Sequence, residues 1–184
     1  MKSMLFLAGL LATVTAGSYL AAGGPEERPG GKKLLRVGVY DSRAIAIAYT
    51  SSKYNDNFMV GKSKAKHEAE AAGDSAAVER IDKEMQYFQF KRHLQGCGTA
   101  PVPELLKCIE KEIAAIAREA GVDVIVSKWA FDYRAEGTEV VDLTAELVAA
   151  FEPTERAMKW IRQLETVAPV SEAELLQHEL EGGH

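Results

Sequence analysis

The chain has 184 residues, 27 acidic and 22 basic, with a net charge of −5; 47% are hydrophobic and 27% charged. That length suits one domain with a small appendage, and that apolar content excludes a disordered polymer. The acidic balance offers nothing to nucleic acid or anionic lipid, both of which need a concentrated basic field.

The chain opens as a secretory leader. Met1-Lys2 is a minimal basic start, residues 4–14 (MLFLAGLLATV) are uncharged and apolar, and Val14-Thr15-Ala16 fits the small-x-Ala cleavage pattern. A second cut is available after Ala22. The apolar run is shorter than the roughly 20 residues that span a bilayer core. An uncleaved N-terminal anchor is the alternative, and only then is direct membrane contact expected. No Cys follows the run, which excludes a lipoprotein anchor. Export to the periplasm is the expectation. Residues 17–33 (GSYLAAGGPEERPGGKK) read as a flexible linker.

The fold is expected to begin at residue 34. Leu35, Val37 and Val39 alternate with Arg36, Gly38 and Tyr40, which predicts a strand. Asp41-Ser42 then leads into a short helix over 43–49, with Asp41 as its cap. Residues 60–95 hold no Pro and are rich in helix formers, with a kink or break at Gly73-Asp74. Val78, Ile81, Met85 and Phe88 form a 3-4-3 seam, and Leu106, Ile109, Ile113, Ile116 and Ala120 repeat that spacing. The two seams predict an antiparallel helical hairpin over about 59–120, with residues 96–103 as its tip. Glu104 suits the start of the return helix and Gly121 its end.

Three short strands are then expected, over 122–127, 129–134 and 139–142. Thr144 is placed to cap a helix running to Phe151. Beyond Pro153, residues 153–184 predict a helical extension of two pieces, the second opened by a capping box, Ser171 to Glu174. The predicted fold is α+β: a small antiparallel-rich sheet body over 34–152, a projecting helical hairpin and extra C-terminal helices.

The candidate site residues are few. Cys97 and Cys108 flank a Gly/Pro turn, and an oxidising compartment favours their pairing; the alternative is an exposed thiol at Cys97 and a buried one at Cys108. His67, His93, His178 and His184 lack metal-ligand spacing, and no phosphate-loop, dinucleotide or nucleophile-elbow motif is present. No cofactor, small-molecule substrate or catalytic residue is expected, although Asp41 at a strand end has the position of a catalytic carboxylate. Trp129, Phe131 and Tyr133 share one side of an expected strand and read as core or subunit interface rather than a ligand pocket. Tyr87, Phe88 and Phe90 crowd the outgoing helix; Phe88 fits the seam, while Tyr87 and Phe90 fall off it and are candidate contact surface. Lys62, Lys64 and Lys66 are offset by Glu68 and Glu70 as a solvated face.

The order of elements and two stretches of sequence resemble the Skp/OmpH family of periplasmic chaperones. Residues 36–42 (RVGVYDS) are similar to the family's opening strand. Residues 116–126 (IAREAGVDVIV) resemble its helix end, Gly turn and strand, and Tyr133 with 141–148 (VDLTAELV) resembles its last strand and helix. The likeness covers roughly residues 35–151. It implies a homotrimer joined through its sheets, with three helical arms that hold unfolded outer-membrane or other envelope proteins without ATP. The same fold also suits an envelope adaptor that binds one folded partner; a small exported enzyme or ligand-binding module is the remaining class. Three features depart from the family: an expected outgoing helix of only about 32 Å, an acidic rather than basic chain, and the extension over 153–184.

Overall fold

The computed structural model describes residues 35–181 except Asp56, and the side chain of Glu179 is not described. The expected leader (1–16, with the later cut at 22), the linker (17–33) and the final Gly182-Gly183-His184 lie outside those residues. No helix among the described residues is long and apolar enough to cross a membrane.

The protein is a mixed helix and strand fold, broadly α+β. Strand β1 (Arg36–Tyr40) leads through Asp41 into α1 (Ser42–Thr50), then α2 (Phe58–Ala71) and α3 (Ser75–Gly96). Next come α4 (Pro103–Leu106), a 3-10 turn (Lys107–Ile109) and α5 (Glu110–Ala120), followed by β2 (Val124–Ser127) and β3 (Glu139–Asp142). The chain closes with α6 (Thr144–Ala149), α7 (Glu155–Gln163), a 3-10 turn (Leu164–Thr166) and α8 (Glu172–Leu180).

The sheet corrects the antiparallel expectation. Its order is β2-β1-β3 and both pairings are parallel, with Val37 opposite Val124 on one side and Val140 on the other. Side-chain alternation reveals which face a residue takes but is blind to strand direction. The expected strand over 129–134 is absent: residues 128–138 run irregularly from the end of β2 back to the start of β3. Because β1 lies between those strands, this segment must pass β1 on its way.

The sheet has two unlike faces. Gly38 points toward the helices, where a Cβ would fall 2.6 Å from Leu143 Cδ1 and 3.1 Å from Ile125 Cγ1. On this side Ile45, Leu105, Ile109, Leu143, Leu147 and Phe151 form a fully buried core, with Ile125 and Val141 packed against it. The opposite face carries Val37, Val39, Val124, Val126 and Val140, all outside that core cluster. Val124 is 39% exposed, and Leu35 at the entrance to β1 is 61% exposed.

The hairpin is also corrected. It is built from α2 and α3, not from α3 and the 104–120 segment. Its tip is Gly73-Asp74, where Gly73 takes the left-handed φ of +70° and the Asp74 carboxylate accepts from the Ala77 N–H to start α3. Lys62 to Glu84, Lys66 to Asp82 at 2.6 Å, and the stacked rings of Phe58 and Phe88 at 4.2 Å set its antiparallel register. The 3-4 seam from Leu106 to Ala120 serves another purpose: Ile109 is fully buried in the body, with Leu106, Ile113, Ile116 and Ala120 packed around the same core.

Residues 153–181 form no separate appendage. Thr154 caps α7, whose Ala157 is buried, and α7 lies against α1. The Ser171–Glu174 capping box is formed, with Glu174 N–H donating to Ser171 Oγ at 3.2 Å and Ser171 N–H to Glu174 Oε2 at 3.0 Å.

Candidate functional site

The carboxyl ends of parallel strands are where open α/β sheets gather polar side chains, and here they gather an ion cluster. Asp41 follows β1 and Lys128 follows β2, while Thr144 stands two residues past the end of β3. Asp41 Oδ1 accepts from the Arg43 N–H at 3.0 Å, capping α1 as expected, and from Arg43 Nε at 3.1 Å. Its Oδ2 accepts from Arg43 Nη2 at 2.8 Å and meets Lys128 Nζ at 2.7 Å. The Asp41 N–H donates to Thr144 Oγ1 at 3.0 Å, and the Asp142 carboxylate, rather than Thr144, accepts at the helix start, from the Thr144 N–H at 2.8 Å.

Burial pushes the Asp41 carboxyl up, but hydrogen bonds from Arg43 and Lys128 outweigh it and hold the group below its ordinary value. The carboxylate is therefore ionised at neutral pH, with both oxygens engaged. A group so placed neither donates a proton nor readily accepts one, which argues against Asp41 as a general acid or base. Arg43 also donates to carbonyls of the C-terminal segment, Val167 O at 2.7 Å and Leu164 O at 3.2 Å. The cluster thus staples residues 164–167 to the sheet end. A cleft of about 370 Å³ beside it is lined by Asp41, Lys128, Asp142, Thr144, Arg162 and Glu165, among others.

The arm is the second candidate. No residue of α2 is buried, and α3 buries only Ile81 and Gln95. Of the expected contact aromatics, Tyr87 is 71% exposed, whereas Phe88 stacks on Phe58 within the hairpin and Phe90 is half-buried. Val60 is 69% exposed, and it borders a shallow cleft of about 850 Å³ with Met59, His67, Ala71 and Met85.

The other sequence candidates are scattered. Trp129 is half-buried against the ion cluster, its ring 5.3 Å from the Arg43 guanidinium and 4.6 Å from Lys128 Nζ. Phe131 and Tyr133 are exposed on the irregular 128–138 segment, Tyr133 at 82%. Cys97 and Cys108 are both free thiols, Cys97 exposed and Cys108 half-buried, the unbridged of the two alternatives. His67 sits 3.2 Å from Glu70. Among the described residues no three His, Cys, Asp or Glu side chains come together as a metal-binding group.

Sequence reasoning missed Arg43, Lys128 and Gln95. Gln95 is fully buried and donates to Pro101 O at 3.0 Å and Glu104 Oε1 at 2.8 Å, closing the turn after α3. None of the three belongs to a motif. The one available signal was a charged residue directly after each of two strands. Compared with known proteins, the chain matches no family model, no curated protein and no solved structure.

Proposed function

We propose that the protein is an exported, ATP-independent holdase of the Skp/OmpH type, which keeps unfolded envelope proteins soluble between its helical arms. The observation that carries this reading is the arm: a two-helix hairpin in which no residue of α2 is fully buried, with Val60 and Tyr87 open to solvent. Exposed apolar groups on a rigid helical arm can make many weak contacts with a chain of no fixed shape.

A homotrimer is part of the proposal. Parallel sheets are normally covered on both faces; on the face opposite the helices Val37 and Val39 are already buried within one chain, and it is the β2 edge, with Val124 exposed, that supports assembly. Phe131 and Tyr133, exposed on the segment that passes β1, extend the apolar surface available to neighbouring subunits. One observation favours the adaptor reading instead. The arm is laced with internal ion pairs, Lys62 to Glu84, Lys66 to Asp82 and Lys83 to Glu79, so much of its surface is polar and already matched, which suits one folded partner better than many unfolded chains.

The test is dilution of a urea-denatured outer-membrane β-barrel protein into the chain, with turbidity and the chain's own mass read together. A three-chain species that suppresses aggregation, and loses that effect in Val60→Asp/Tyr87→Asp without loss of helicity, is the expected result. A trimer without effect moves the reading to the adaptor, and a monomer without effect overturns both function and assembly.

A further inference from the structure

Where α1, the end of α3 and the start of α7 meet, they leave an open apolar groove of about 580 Å³. Ile47 and Ala157 line it, Trp160 forms one wall at 52% exposure, and Cys97 stands on the α3 side. The volume falls within the several hundred cubic ångströms typical of ligand sites. Its charged lining is Arg92 and Arg156, with His93 beside them and no carboxylate. In a chain of net charge −5 that is a local reversal, since the strand-end cleft holds Asp41, Asp142, Glu146 and Glu165.

The two arginines differ. Arg92 is engaged, donating to Gln95 Oε1 at 3.0 Å with its guanidinium over the rings of Tyr49 and Phe88. Arg156 is exposed and has no carboxylate partner among the described residues; it lies 5.2 Å from the centre of the Trp160 ring. A guanidinium held on an indole face keeps its fork free for a carboxylate, while the rest of the ring offers apolar contact. On the α1 side Thr50 Oγ1 and Ser51 Oγ donate to carbonyls of their own helix and keep lone pairs for an incoming N–H.

The geometry points to a docking groove for an extended polypeptide segment that carries an aromatic or aliphatic side chain next to an Asp or Glu. The apolar group packs on Trp160 and Ile47, the carboxylate pairs with Arg156, and backbone N–H groups meet the α1 hydroxyls. A fatty carboxylate shares the charge and the apolar body, but it brings no N–H for those hydroxyls, and the open side would leave its chain wet. The inference rests on the proposal that the protein binds unfolded chains, and it names which segment of such a chain is gripped.

Cys97 supplies the readout. The whole chain is treated with iodoacetamide, and alkylation at Cys97 and Cys108 is followed by peptide mass mapping. The probes are end-blocked dodecapeptides with alternating Phe and Glu, the same peptide with Lys for Glu, the same with Ser for Phe, and oleate. The Phe/Glu peptide is expected to slow Cys97 alkylation about tenfold when saturating, with the Lys and Ser versions far weaker. Arg156→Glu should abolish that protection and transfer it to the Lys peptide, and Trp160→Ala should weaken it with either charge. Equal protection by the Glu and Lys peptides, protection by oleate alone, or no change in Arg156→Glu overturns the inference. Suppression of β-barrel aggregation is measured on the same samples. Suppression without peptide protection sinks the groove and spares the holdase; protection without suppression does the reverse.

Discussion

Lys128 Nζ lies 2.7 Å from Asp41 Oδ2, so one carboxylate ties the end of β2 to the end of β1. The same oxygen takes Arg43 Nη2 at 2.8 Å, and Arg43 is almost wholly buried. Removing the carboxylate leaves a buried guanidinium without its counter-charge, which is far costlier than losing a surface pair.

Asp41→Asn should therefore destabilise the fold by about 3–5 kcal/mol at neutral pH. Folding holds the Asp41 carboxyl below its ordinary 3.8, so its contribution is complete above that value and is lost as pH falls through the folded one. Urea melts of both proteins should converge as pH drops below about 4. A stability gap unchanged down to pH 2 would show that the ion cluster is not its source.

Ile81 and Ile109 should fail differently. Ile81 is the apolar residue that α3 buries, and Ile81→Asp is expected to strip amide protection from α2 while the body stays folded. Ile109 is fully buried in the body, and Ile109→Asp should unfold the whole domain. Hydrogen exchange read by mass spectrometry separates the two; loosening of the arm alone by Ile109→Asp would contradict the observed packing.

Gly38→Ala should cost about 1–3 kcal/mol, because the new methyl would overlap Leu143, which is itself nearly fully buried and has little room to move. Leu143→Val removes the overlapping Cδ1. In a double-mutant cycle the pair should therefore lose less than the two single changes added together. Simple additivity would mean that the close approach is relieved elsewhere.

Both thiols should titrate in the native protein, Cys97 rapidly and Cys108 slowly, in line with their exposure. A single slow phase, or no reaction before reduction, would mean that the two are bridged.

The sequence carried each element's type better than its partner. The strands at 36–40 and 139–142, the cap at Asp41 and the Ser171–Glu174 box all rest on local chemistry, and local chemistry is what a single sequence states. The hairpin was misassigned because the seam of Val78, Ile81, Met85 and Phe88 has the same period as that of Leu106, Ile109 and Ile113, and equal periods suggest a pair. The first of these faces α2 and the second faces the core; Gly73, a kink or break by its sequence, is a full reversal. The strand-end ions were illegible for another reason: Asp41 and Lys128 become neighbours only once β1 and β2 align in parallel.

The central position of β1 fixes the order in which the molecule can form. Both ladder partners of Val37 lie far downstream, at Val124 and Val140. With synthesis at about 5–20 residues per second, β1 waits roughly 5–20 s with both edges open. The α2–α3 hairpin closes over a three-residue turn and can form in about a microsecond once its own residues are free. The arm is thus complete while the sheet is still a single unpaired strand. A growing chain stalled before residue 124 would already display the hairpin's apolar flank, yet carry it on a body that still lacks its sheet and the core residues Leu143, Leu147 and Phe151.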